Sequence, residues 1–252
     1  MKVSIITVVY NAERTIGDAI ESVAAQDYPN IEHIVIDGAS SDNTMREVDA
    51  RKQSLAKVVS EPDSGIYDAM NKGLAMATGD VIGLLNADDV LQDHTIISQV
   101  AAAHQDESLD ACYADLVYVK ADDLSQVTRY WRSKEYKKGL CFRGWMPAHP
   151  TLYLKRRVYS EVGDFNTELR YQSDLEFCAR AFELHSIRSV YIDKLWVRMR
   201  LGGVTNNSFQ SMVKGNWESY LALRKLGLKR DPISYFFIKF SEKIPSFFRK
   251  ER

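Results

Sequence analysis

The chain is short of the residues that build special frameworks. Its 252 residues hold only three cysteines, Cys112, Cys141 and Cys178, odd in number and far apart. That argues against a disulfide framework and leaves no zinc-ligand spacing, and it fits a reducing, cytoplasmic compartment. No apolar run approaches the roughly 18 residues that cross a bilayer, so any membrane contact is made from the surface. The net charge of −1 gives no pull toward nucleic acid. No internal repeat and no low-complexity linker interrupts the chain. It starts directly in an apolar run, which predicts no cleaved leader. What is present is ordinary for one large globular α/β domain: 45% apolar and 27% charged residues.

The first hundred residues alternate between two periodicities. Val3 to Tyr10, Ile34 to Asp37, Val58-Val59 and Val81 to Leu85 read as buried parallel strands. The apolar stripe of Ile16, Ala19, Ile20 and Val23 predicts a helix capped by Asn11. Helices are also expected from Thr44 and over Ile66 to Ala77. Such βαβ alternation predicts a doubly wound, mostly parallel sheet with ligands at the strands' C-terminal edge. After about residue 110 the pattern is mixed: strands over Ala111 to Val119, Val127 to Trp131 and Thr151 to Leu154, helices over Asp174 to Leu184 and Ser208 to Leu226. The expected layout is a domain over 1–227 in two halves, a regular α/β half (1–110) and a mixed half (111–227), then a tail over 228–252.

Three strands deliver polar residues to one rim: Asn11, Asp37 and Asp88. The run Asn86-Ala87-Asp88-Asp89 follows a buried strand, and clustered carboxylates there can bind a divalent cation, which can hold a diphosphate. Magnesium or manganese suits oxygen ligands, with either Asp88 or Asp89 as the ligand. Asp clusters also make turns. Asp37 can accept a hydrogen bond from uracil N3–H or can cap the Ser40-Ser41-Asp42 turn. Asp174, just after Ser173, favours a helix N-terminus. His149, held between Pro147 and Pro150, can touch acceptor or diphosphate, or pack in a loop. Trp145 can stack on a sugar or be core. Arg198 and Arg200 can reach the diphosphate, and Gly202 to Asn207 is a polar loop able to close over a donor.

Ser4 to Asn11, Ile34 to Asp42, Glu61 to Gly73 and Asn86 to Asp89, in this order and spacing, resemble the family 2 glycosyltransferases and their GT-A fold. The resemblance covers roughly residues 3 to 200 and is closest to the bacterial exopolysaccharide, O-antigen and colanic-acid-type branch. It implies an inverting, metal-dependent hexosyltransferase using a nucleotide sugar, UDP-linked, on a lipid-linked saccharide in cell-surface polysaccharide synthesis. It implies base contacts from Val9, Tyr10, Asn11 and Asp37. It places Asp63 and Lys72 near the ribose and diphosphate, Asn86 and Ala87 at the nucleotide, and Asp174 as general base. The chain departs from the family's pattern at two places: Asn86 stands where Asp is usual, and Ser173 where Glu is usual. Those departures keep open a second reading, a catalytically weak nucleotide-sugar-binding partner of a glycosyltransferase complex. A nucleotidyltransferase would need a glycine-rich basic loop after the first strand, where Asn11-Ala12-Glu13-Arg14 stands instead.

The tail is a separate signal. From Arg224 onward there are nine Lys/Arg and three acids. Asp231-Pro232 opens a helix whose Ile233, Phe236, Phe237, Phe240 and Ile244 share a face, with Pro245 as its stop and Phe247-Phe248 beyond. A basic helix with such a stripe predicts peripheral attachment to an anionic membrane, the inner face of the plasma membrane. The competing expectation is packing on the domain or in a homodimer.

Overall fold

In a run such as Val3–Val9 almost every residue is apolar or β-branched, so the segment is stable only as a strand covered on both faces. The computed structural model shows this strand, β1, buried at every position. The structure describes residues 1–202 and 209–248; side chains of 209, 210, 212 and 242–248 are outside that description. The expected loop beyond Gly202 and the side chains of Ile244, Phe247 and Phe248 therefore lie outside the described residues.

Ile31–Asp37 (β2), Lys57–Ser60 (β3) and Val81–Leu84 (β4) run parallel to β1, in the order β3-β2-β1-β4. Their crossovers are helices Ile16–Ala24 (α1), Thr44–Ala50 (α2) and Ile66–Met76 (α3). The stripe of α1 is buried as expected, but Asn11 does not cap it. Asn11 instead adopts φ 48° and accepts the Ser41 amide at 2.8 Å, tying the β1 end to the β2 end.

The second half extends the same sheet. Tyr153–Lys155 (β8) is antiparallel to β4 and to the start of Ala111–Lys120 (β6), and Ser189–Arg200 (β9) is parallel to β6. Asp123–Trp131 (β7) takes over from β8 along the far end of β6. Arg129, Tyr130 and Trp131 at the end of β7 line one side of a cleft. Four elements were not expected: the strand β9 and the three that follow here. Asp89–Leu91 (β5) is a strand antiparallel to β9 and packs against α1, and Ile96–Ala103 (α4) follows it. Arg156–Val162 (α5) follows β8. Ser173–Cys178 (α6) continues as one π-helical turn, Ala179–Leu184, a widening often found beside functional sites. The architecture is mixed α/β with a mostly parallel sheet, the expected class.

Phe209–Lys225 (α7) and Pro232–Phe248 (α8) close the chain, α8 running past Pro245 rather than stopping there. One internal proline costs a helix a hydrogen bond without having to end it. The tail is packed: Tyr235 and Lys239 are buried, and Phe236 stacks on Trp217 at 6.0 Å. The three cysteines are free and buried. Among the described residues no helix is long and apolar enough to cross a membrane.

Candidate active site

A cleft of about 2090 Å³ opens at the C-terminal edge of β1, β2 and β4 and is closed on its far side by β7, α6 and α8. At one end lie Val9, Tyr10, Asn11, Gly38 and Asp63. Tyr10 is 65% exposed, an aromatic face offered to solvent at the rim. Asp63 Oδ1 accepts the Gly65 amide at 2.8 Å. Its Oδ2 sits over Gly38, where any Cβ would overlap it, so glycine is what admits the carboxylate. Asp37 lies elsewhere: it is fully buried, does not line the cleft, and its oxygens accept from Ser40 N, Ser40 Oγ and Ser60 Oγ. In this structure Asp37 fixes the turn that carries Gly38, and Asp63 presents the carboxylate.

Asn86, Ala87 and Asp88 line the middle of the cleft. Asp89 opens β5 and is completely buried. Asn86 Nδ2 donates to Asp89 Oδ2 at 2.9 Å, while Asp89 Oδ1 has no partner. Burial raises the pKa of Asp88, and burial plus the neighbouring Asp88 charge raises that of Asp89 well above the ordinary range. A hard dication at this point would relieve both penalties. Among the described residues no group of three acidic, histidine or cysteine side chains gathers. A cation here would complete its shell from phosphate and water, as Mg²⁺ commonly does.

Asp174 enters from the first turn of α6, facing the cleft. The Tyr67 hydroxyl donates weakly to its Oδ1 at 3.4 Å, and Leu175 N donates at 2.8 Å. Burial pushes its pKa up, opposed first by His149. His149 lines the same corner, its ring edge on Phe165 at 5.8 Å. Burial lowers its pKa, so the imidazole is neutral near pH 7, and its Nε2 is buried without a partner. Glu176, the other acid of α6, is turned into the protein and paired with Arg180 at 2.9 Å. Trp145 lines the cleft and also packs on Tyr113 and Tyr136, so it is part wall and part core.

Each of the three cations expected at the diphosphate has a protein partner in this structure. Lys72 does not line the cleft; it pairs with Glu61 at 2.9 Å and donates to the Pro62 carbonyl. Arg198 points away and donates to the Leu124 carbonyl at 2.8 Å. Arg200 reaches the cleft but is engaged by Asp18 and by the Asp88 carbonyl. Sequence reasoning missed Lys239, a buried lysine of α8 that also lines the cleft. Its spacing from Tyr235 on one helix face was the only signal.

A family model described as "Glycosyl transferase family 2" matches residues 4–164, more than half of the chain. A "PGL/p-HBAD biosynthesis glycosyltransferase" of Mycobacterium tuberculosis is 26% identical over 215 residues, covering 81% of this chain and 78% of that protein. S. aureus TarS, solved in complex with UDP-GlcNAc, superposes with TM-score 0.71 at 19% identity, over 95% of this chain and 70% of that one. The mannosyltransferase PcManGT of Pyrobaculum calidifontis, solved with GDP-Man and Mn²⁺, gives TM-score 0.66 at 18% identity, over 96% and 69%. At those identities the two structures establish a shared fold.

Proposed function

The chain belongs to glycosyl transferase family 2, and we propose that it moves a hexose from a UDP-linked donor, with inversion, to a saccharide acceptor. One observation carries the reading: Asp63, Asp88 and Asp174, from three distant segments, line a single cleft. Tyr10 and Asn11 flank the base, and Asp63 accepts from the uracil imide, a donor that cytosine lacks. Asp88 is the residue that would hold Mg²⁺ or Mn²⁺, with Asp89 behind it; the ion would supply charge neutralisation for the departing diphosphate. Asp174 takes the acceptor hydroxyl's proton as that oxygen attacks the anomeric carbon. A desolvated carboxylate of raised pKa is the stronger base for that step. A single displacement from the face opposite the leaving group inverts the anomer. His149 and Trp145 line the acceptor corner.

UDP is favoured by the Asp63 carboxylate beside Tyr10 and Asn11 and by TarS, the neighbour solved with UDP-GlcNAc. Calorimetry against UDP, GDP, CDP and ADP with Mn²⁺ tests it: UDP binding tightest supports the reading, and GDP tighter overturns it. Nucleotide-sugar binding with neither hydrolysis nor transfer across an acceptor panel would favour the non-catalytic partner instead.

We further place the enzyme on an anionic lipid surface, at the cytoplasmic side where nucleotide sugars are available. The support is a two-helix face rather than a free tail. On α8, Ile233, Phe237 and Phe240 are exposed by 82%, 76% and 52%. On α7, Val213, Trp217 and Leu221, four residues apart, are exposed too, and Trp217 on Phe236 joins the two stripes. Lys214, Arg224, Lys225, Lys229 and Arg230 are exposed beside them. Each such cation contributes about 1 kcal/mol near an anionic membrane. A second copy is the weaker occupant, because an isologous pairing would set these cations against their own copies.

A further inference from the structure

The Glu61 to Gly73 segment carries a tyrosine that the reaction above leaves unused. Tyr67 is the second residue of α3, is 8% exposed and lines the cleft together with Asp174. Its place is fixed by its neighbours. Ser64 N donates to Asp68 Oδ2 at 3.0 Å, pinning the start of α3. The Tyr67 ring stacks on Phe165 at 5.9 Å. Phe165 is clamped in turn: Asn71 donates to its carbonyl and accepts its amide, both at 2.9 Å. Phe165 also packs at 4.9 Å on Phe177 of α6, the helix that carries Asp174. A phenol braced in this way has little rotamer freedom left to lose when it makes a hydrogen bond.

We propose that Tyr67 is a positioning residue for the base: its hydroxyl holds Asp174 Oδ1, so that Oδ2 is turned to the attacking hydroxyl. The inference rests on the reading of Asp174 as the base and adds what orients it. Both hydrogen bonds to the carboxylate fall on Oδ1, from Tyr67 at 3.4 Å and from Leu175 N at 2.8 Å. Among the described residues none donates to Oδ2. Leu175 is the next residue in the chain, so Tyr67 is the donor that ties the carboxylate to another element. The backbone amides of Ser173 and Asp174 face the tyrosine oxygen. A hydroxyl that accepts there is polarised to donate to the carboxylate. Burial, and then the Asp174 charge, push the phenol's pKa up, so it remains a donor. Hydrogen bonds to a catalytic group often shorten only as the reacting group arrives, which makes 3.4 Å a starting length. His149, Lys239 of α8, Cys178 of α6 and Tyr118 of β6 also face Asp174, and Glu218 of α7 faces Tyr67. None of these five hydrogen-bonds the carboxylate.

The test compares the full chain, labelled with ¹³C-aspartate, with Tyr67→Phe, which keeps the ring and its stack on Phe165. The Asp174 carboxyl signal, assigned by its loss in Asp174→Asn, is titrated by NMR. It should titrate at higher pH in Tyr67→Phe, because a donor to the charged form is gone. An unmoved titration in the folded variant would overturn the proposal. Turnover is read as UDP release from UDP-glucose and UDP-N-acetylglucosamine. Tyr67→Phe should lower kcat about tenfold, the scale of one hydrogen bond to a charged group, with the donor KM within about twofold. The acid limb of kcat should move to higher pH with the NMR titration. Added to Asp174→Asn, Tyr67→Phe should cost nothing further, since it acts through that carboxylate. An equal loss in both backgrounds, or a raised KM with kcat unchanged, would overturn the positioning role, because a tyrosine that supports the fold or binds substrate acts with or without the base. Should Tyr67→Phe fail to fold, Phe165→Leu, which leaves the hydroxyl but frees its ring, replaces it in the titration with the same expectation. If the parent turns over neither sugar, the failure is of the donor reading, and the NMR titration, which needs no substrate, still decides the proposal.

Discussion

Replacing Asp174 by Asn separates catalysis from binding and from stability, and the structure sets the size of each effect. The substitution keeps shape and removes the proton acceptor. Glu176 cannot substitute, since Arg180 holds it at 2.9 Å on the inner side of α6. General-base losses run to about 10²–10⁴-fold, and 10²-fold is about 2.7 kcal/mol of barrier. UDP affinity should be nearly unchanged, because Tyr10, Asn11 and Asp63 belong to the opposite wall. The pH behaviour carries a sign. Burial raises the folded pKa of Asp174 above its unfolded value. The native state therefore holds this proton more tightly, and stability falls as pH rises from the unfolded pKa through the folded one. At pH 7 the charged group is a net cost, so Asp174→Asn should raise Tm there, and the gain should vanish below the ordinary carboxylate range. In the parent, kcat/KM should drop on acidification at a pH above that range, and the variant should lose this limb. Stopped transfer assays, anomer analysis by NMR and scanning calorimetry read these outcomes. Near-normal turnover in Asp174→Asn, or a product of retained anomeric configuration, would refute the base assignment.

Asp88→Ala should abolish the Mn²⁺-dependent part of UDP binding measured by calorimetry; full transfer activity in excess EDTA would remove the ion from the reaction. Asp63→Ala should erase the preference for UDP over CDP, whereas Asp37→Asn should act mainly through Tm, because its oxygens serve Ser40 and Ser60. An unchanged nucleotide preference in Asp63→Ala would return the base contact to Asp37. Phe237→Glu with Phe240→Glu should release the chain from anionic liposomes without lowering Tm, since both side chains are exposed; retention on the liposomes, or loss of a dimer in light scattering, would point to another anchor or to a second copy. Removing residues 229–252 is not an equivalent test, because it also takes Tyr235 out of the core and Lys239 out of the cleft.

Much of the nucleotide half was legible because its signals are local. A run such as Val3–Val9 has no stable option but a doubly covered strand, and the polar residue ending such a strand must lie at the sheet's C-terminal edge. That reasoning set Asn11, Asp37 and Asp88 at one rim, and of these Asn11 and Asp88 line the cleft while Asp37 does not. It failed where a side chain's direction depends on a partner strand or a distant loop. Asp89 is adjacent to Asp88, yet its pairing with Met199 in β9 makes it the first residue of a buried strand. Arg198 and Arg200 lie on one strand, but Leu124 draws one and Asp18 the other. The tail's apolar stripe was visible as a periodicity, which counts residues on a face without naming what the face meets. So the sequence by itself determined the strand–helix order of the first half, as far as β4, and the rim on which its strands end, both fixed by short-range pattern. Only the tertiary structure decided that Asp63 rather than Asp37 faces the cleft and that Lys239 joins it, because burial and charge environment come from residues far apart in the chain.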